Sequence, residues 1–155
     1  MKKYFVVILL LIVVGCATYH QLMVGPDGNI QDCGAFGQGI IGMVGAQSIV
    51  SGCVDNLKKA GYIELEKAGA IGVMFRSDST YILKVMPNSP AEKNDIKPGD
   101  KIIEVAGQKV NLPKDASLLL FGEYGIQVNL VFIRGNETFK KTLIRAPYIE
   151  VYGKP

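Results

Sequence analysis

Thirty consecutive residues, Tyr81 to Val110, constrain this chain more than any other stretch. Tyr81, Leu83 and Val85 fall at every second position, the period of a strand. Pro87-Asn88-Ser89 ends that strand. Ser89-Pro90-Ala91-Glu92 then reads as a helix start, with Ser as N-cap and Pro at the first helical position. Asp95 falls where a left-handed backbone is expected, a conformation Asp tolerates better than most residues. Pro98-Gly99-Asp100 is a turn, Lys101 to Val105 a strand, and Ala106-Gly107 turns it into Gln108-Lys109-Val110.

The flanks continue the pattern. Gly69 to Phe75 brings apolar alternation after Gly72, and Arg76-Ser77-Asp78-Ser79 supplies a turn. Asn111 to Asp115 opens a second helix running through Phe121 and ending at Gly122. Gly125 to Ile133 is a long strand, Arg134-Gly135-Asn136 a turn, and Thr138 to Ile144 a closing strand. The Ser-Pro-Ala, Pro-Gly-Asp, Gly and Val combination at this spacing resembles a bacterial PDZ domain of the kind carried by high-temperature-requirement serine proteases. The resemblance covers about residues 68 to 145. It implies an α+β fold: a partly open, five- to six-stranded antiparallel barrel or sandwich with two short helices, occupying residues 67–146.

It also implies a function. PDZ domains add a peptide as an extra strand at a sheet edge and hold its terminal carboxylate on backbone N–H groups. The matching positions here are Ile71, Gly72 and Val73, with Val73, Met74 and Phe75 pairing to the peptide backbone. Gly72 would be required because a Cβ there would crowd the carboxylate or forbid the backbone angles. In the second helix Leu118, Leu119, Leu120 and Phe121 cannot all face inward, since four consecutive positions wrap most of a helix. One of them, Leu118, is expected to line the groove. The alternative is a groove filled by the protein's own N-terminal element or C-terminal tail.

The N-terminus reads as an address. Lys2 and Lys3 precede an apolar run of eleven residues, Tyr4 to Val14. That is shorter than the ~20 residues needed to cross a bilayer and has the length of a secretory signal. The run closes on Val13-Val14-Gly15-Cys16, which resembles a bacterial lipobox. The resemblance implies cleavage before Cys16 and diacylation of its thiol, with a palmitate-type acyl chain on the new amine. Residues 1–15 are then a signal peptide and 16–32 an anchor and linker. Ala17, in place of Asp, implies delivery to the outer membrane, with the protein on its inner face toward the periplasm.

With Cys16 so used, Cys33 and Cys53 are an even remainder in an exported chain and read as one disulfide, free thiols being the alternative. Between Cys33 and Val54 there is no charge. Gly37, Gly39, Gly42 and Gly45 weaken a lone helix, yet Ile40, Met43, Val44, Val50, Cys53, Val54 and Leu57 have helical spacing. Lys58, Lys59 and Gly61 suit its end. Residues 33–66 are thus expected to form a glycine-rich helical element. It either packs on the body under the disulfide or associates with membrane or itself.

Composition excludes several functions. Without Lys2 and Lys3 the 17 basic residues fall to 15, against 14 acidic. No basic cluster with interleaved aromatics supports nucleic-acid binding. The one histidine, His20, falls in the expected linker, which cannot hold the buried, oriented His that a Ser–His–Asp site needs. No Walker A loop, HExxH or CxxC occurs, and no metal or cofactor is expected. The chain reads as a non-enzymatic, lipid-anchored binder of extended or C-terminal peptides, an adaptor or quality-control factor. The alternative is a fixed subunit of an envelope or secretion complex. The tail, 147–155, either packs back or ends loosely.

Overall fold

The computed structural model describes residues 16–154, apart from the side chain of Cys16. The expected signal peptide and lipidated thiol therefore lie outside the described residues.

The first element is a β-hairpin. Strand β1 (Cys16–Val24) pairs antiparallel with β2 (Ile30–Gln38) along their whole length, from Cys16 opposite Gln38 to Val24 opposite Ile30. Pro26-Asp27-Gly28 builds the turn. The Asp27 carboxylate accepts from the Asn29 N–H at 3.1 Å, and Gly28 takes φ +81°. The expectation of a linker over 16–32 is corrected here: Thr18, Tyr19 and Met23 to Val24 are strand formers, and a Pro-Asp-Gly turn between two such runs makes a hairpin.

The expected glycine-rich helix is α1 (Gly39–Lys59), joined to β2 without a loop by Gly39 at φ +68°. It packs on β1 and β2 rather than on the body. A Cβ at Gly37 would lie 2.2 Å from the Gly42 carbonyl oxygen, so glycine there lets the first turn of α1 close onto β2. Cys33 and Cys53 form the disulfide, with Cα atoms 5.8 Å apart. The helix ends in a Schellman arrangement: Tyr62 N–H donates to the Leu57 carbonyl, and Gly61, φ +85°, donates to that of Lys58. Strand β3 (Ile63–Glu64) then pairs with β1.

The body follows in the predicted order. A small sheet holds β4 (Ala68–Ala70) between β9 (Gly122–Glu123) and β12 (Ala146–Pro147). The main sheet runs β11-β10-β7-β6-β5, all neighbours antiparallel. Its strands are β5 (Val73–Arg76), β6 (Ser79–Val85), β7 (Lys101–Val105), β10 (Gln127–Arg134) and β11 (Glu137–Ile144), with β8 (Gln108–Lys109) paired to β7. Both sheets stay open, as an α+β fold with a partly open barrel requires. Helix α2 (Pro90–Lys93) begins on Ser89, whose hydroxyl accepts from the Glu92 N–H, and α3 (Pro113–Leu120) crosses the sheet. Phe132, Ile82, Ile102, Leu130 and Leu143 form the centre of the core. The tail is ordered: after β12 it forms α4 (Tyr148–Tyr152), whose Tyr148 and Val151 are buried in a second cluster with Val24, Ala68 and Ala70.

Candidate functional site

The open side of the main sheet is β5, the edge strand beyond β6. The Gly72 carbonyl accepts from Met86 N–H at 2.8 Å, toward β6. By antiparallel alternation the Val73 backbone groups then point to the free edge. Facing that edge stands α3. Between them lies a groove of about 430 Å³, bounded by Val73 to Arg76, by Pro113, Lys114 and Ser117 on α3, and at one end by Phe121, Tyr148, Tyr152 and the hairpin turn at Asp27-Gly28.

Each predicted residue has a definite place. Ile71 is buried in the core, so only its backbone faces the loop. Its carbonyl accepts from Ala91 N–H at 2.8 Å. Val73, Met74 and Phe75 line the groove. Gly72 has φ +83°, and a Cβ there would sit 2.2 Å from the Ser89 Cβ. The left-handed backbone expected of Gly72 is present, and the Ser89 N-cap of α2 pressing on the loop adds a second demand for glycine. Leu118 is a correction. It turns away from the groove and lines a recess with Val24, Pro26, Ile63 and Ala68 beside the hairpin. The residues α3 presents to the groove are Pro113, Lys114 and Ser117, and Leu118 is rotated 100° from Ser117.

Arg145 holds this wall in place. Its Nε donates to the Leu120 carbonyl at 2.7 Å and an Nη to that of Leu119 at 2.8 Å, satisfying acceptors at the end of α3. Burial lowers the guanidinium's pKa from its ordinary range.

The tail occupies the far end of the groove. The Tyr152 hydroxyl donates to the Val73 carbonyl at 3.1 Å, taking a backbone acceptor of the free edge. Its ring helps close a small recess formed by Ala70, Ile71, Val73, Phe75, Ser117, Leu120 and Phe121, where only about 10 Å³ is left. Val151 lies against Gly72, its Cγ1 3.1 Å from where a Cβ would be. Burial, then the neighbouring Tyr148, pushes the Tyr152 phenol far above its ordinary pKa, so it remains a neutral donor. Tyr148 in turn donates to the Gly28 carbonyl at 3.1 Å, and Phe121, Tyr148 and Tyr152 form one aromatic cluster with centroids 4.9–6.3 Å apart. Of the two fates the sequence leaves open for the tail, packing back is the one observed.

The PDZ domain family model matches residues 69–143. Residues 69–143 are a PDZ domain. The PDZ region is 39 % identical over 61 residues to the serine protease HTRA1 of Xenopus tropicalis, covering 39 % of this chain and 13 % of that one. It is 34 % identical over 62 residues to a putative zinc metalloprotease of Clostridium perfringens, covering 40 % of this chain and 18 % of that one. The chain thus spans less than a fifth of these relatives, and they share with it only the PDZ domain, not their catalytic parts. An HtrA-type protease solved with a decapeptide superposes with a TM-score of 0.50 at 14 % identity, over 71 % of this chain and 37 % of its own. It has the same fold. No group of three or more His, Cys, Asp or Glu side chains able to hold a metal occurs among the described residues.

Proposed function

We propose that this protein is a peptide-binding module that takes an extended segment of a partner protein by strand addition to β5. The observation that carries the reading is the groove of about 430 Å³ left open between β5 and α3. A strand laid there could hydrogen-bond the β5 edge and set alternate side chains against Met74 and Phe75 or against Pro113 and Ser117. Arg76 and Lys114 flank this groove, with Asp27 at the hairpin end, so an acidic side chain in the ligand is favoured. Because Val151 and Tyr152 cover the loop at Ile71-Gly72-Val73, a segment that runs through the groove fits better than one ending on the carboxylate loop.

The biological setting we propose is the bacterial envelope, with the chain lipidated on Cys16 and acting as a non-enzymatic adaptor or quality-control factor. The lipobox-like Val13 to Cys16 supports that setting, and the Cys33–Cys53 disulfide suits an oxidising compartment. A second reading draws on the tail: with Tyr152 on Val73, the groove serves a fixed contact within an envelope complex and no mobile peptide.

Titration of the full chain with extended peptides, each as free acid and as amide, tests both. Peptide binding predicts equal affinity for the two forms. In Tyr152→Ala the free acid should gain roughly tenfold or more, since a hydrogen bond to a charged group is worth about 1.5–3 kcal/mol. Binding only by Tyr152→Ala would favour the fixed contact. No binding by either protein would sink the peptide reading.

A further inference from the structure

Helix α1 carries an apolar face that none of the described residues covers. At 100° per residue Met43, Ala46, Val50, Cys53 and Leu57 point toward the hairpin, while Ile41, Val44, Ser48 and Gly52 point away from it. Ile40, Ile41 and Val44 in the first turns of α1 are 77, 90 and 62 % exposed, and Phe36, on the face of β2 turned from the helix, is 61 % exposed. The hydroxyls of Ser48 and Ser51 donate to the carbonyls of Val44 and Gln47 at 3.0 and 2.9 Å, so these serines ask nothing of a solvent. The first charge on the helix is Asp55, about 21 Å along the axis from Ile41.

The position of this patch says what covers it. Cys16 pairs with Gln38, the residue before the helix, so the chain enters the fold beside Phe36 and Ile40. On the reading proposed above, on which this inference rests, Cys16 carries the acyl anchor. The exposed end of α1 thus lies beside Cys16, while Asp55, Lys58 and Lys59 lie at the other end of the helix.

We propose that this end of α1 rests on a lipid bilayer, with Ile40, Ile41 and Val44 in its interfacial zone and the PDZ groove held off the surface. By length and mean hydropathy α1 could cross a membrane. It does not cross, because the disulfide and the packing of β1 and β2 tie it to strands that carry Gln21 and Asp32. Those would enter the hydrocarbon with it. Lying in the interface needs no such burial.

The chain contains no Trp, so a single introduced one reports its own surroundings. Full-length Ile41→Trp is reconstituted with phosphatidylcholine vesicles, with and without bromine on the acyl chains, and compared with Leu83→Trp on the exposed face of β6. Emission from position 41 should shift to the blue and be quenched about twofold by bromine, as for a ring ~5–10 Å into the boundary. Position 83 should stay unquenched. Water-like emission at position 41 overturns the proposal. So does a blue shift without bromine quenching, which would place a second copy of the chain on this face. Retention of the helical circular dichroism of the parent protein checks that the substitutions leave the fold intact, as their exposure leads one to expect.

Discussion

Gly72 carries two constraints: a backbone at φ +83° and the Ser89 side chain 2.2 Å from where a Cβ would be. Gly72→Ala is therefore expected to cost roughly 2–4 kcal/mol in denaturant unfolding, combining left-handed strain with overpacking. A second residue with a decisive partner is Asp100, 1 % exposed and held bidentately by Arg134 at 2.7 and 2.9 Å. Arg134→Met leaves that carboxylate buried with only the Lys97 N–H. It should lose about 3 kcal/mol, the low end for a broken buried pair because Arg134 is itself a third exposed. The need for Gly72, the N-cap at Ser89 and the left-handed Asp95 (φ +59°) could be read from the sequence, since each is a local backbone demand. The pairing of Tyr152 with Val73, 79 residues apart, could not, because no local pattern encodes which loop a tail residue will meet.

At the scale of elements, the hairpin and α1 form one unit closed by the disulfide. Cys33→Ser with Cys53→Ser should lower unfolding free energy by about 3 kcal/mol in the chain-entropy account of a loop of this length, measured by thermal or denaturant melts. Acid should loosen the same unit at its other end. Glu64 joins Lys58 at 2.6 Å and Lys67 at 2.9 Å, bonds that hold its carboxyl below the ordinary value of 4.5. With the folded pKa depressed, the contribution is fully present above pH 4.5 and is lost as pH falls through the lower folded value. Amide exchange at Ile63 and Glu64 should rise in that window and stay unchanged in Glu64→Gln. The helix was legible from the spacing of Ile40 to Leu57, and its end from Gly61. The hairpin before it was hidden because Pro26-Asp27-Gly28 makes a turn signal only once Cys16 to Val24 is seen as a strand. Lys67 pairs with Glu64 across three positions of the chain, a contact fixed by the turn between β3 and β4. On α3 the sequence offered four apolar residues in a row, Leu118 to Phe121. Which of them meets the groove depends on the helix's rotation over the sheet, set by distant Arg145.

At the scale of the whole molecule, α4 touches both halves. Tyr152 sits on the Val73 carbonyl in the PDZ groove, and Tyr148, one helical turn earlier, sits on the Gly28 carbonyl in the hairpin turn. The two rings pack at 4.9 Å, so displacing one disturbs the other. Occupancy of the groove and order at the hairpin turn are thereby thermodynamically linked, and the linkage is reciprocal. A ligand that needs the place of Tyr152 must work against the hairpin's hold on Tyr148. Tyr148→Phe, which keeps the ring and removes only the bond to Gly28, should tighten such a ligand by about 0.5–1.5 kcal/mol in calorimetric titration. The same ligand should speed amide exchange at Gly28 in the parent chain. The few residues of α4 thus act as a lever whose fulcrum is the aromatic cluster, and the stiffness of a turn near the N-terminus becomes part of the affinity at the groove.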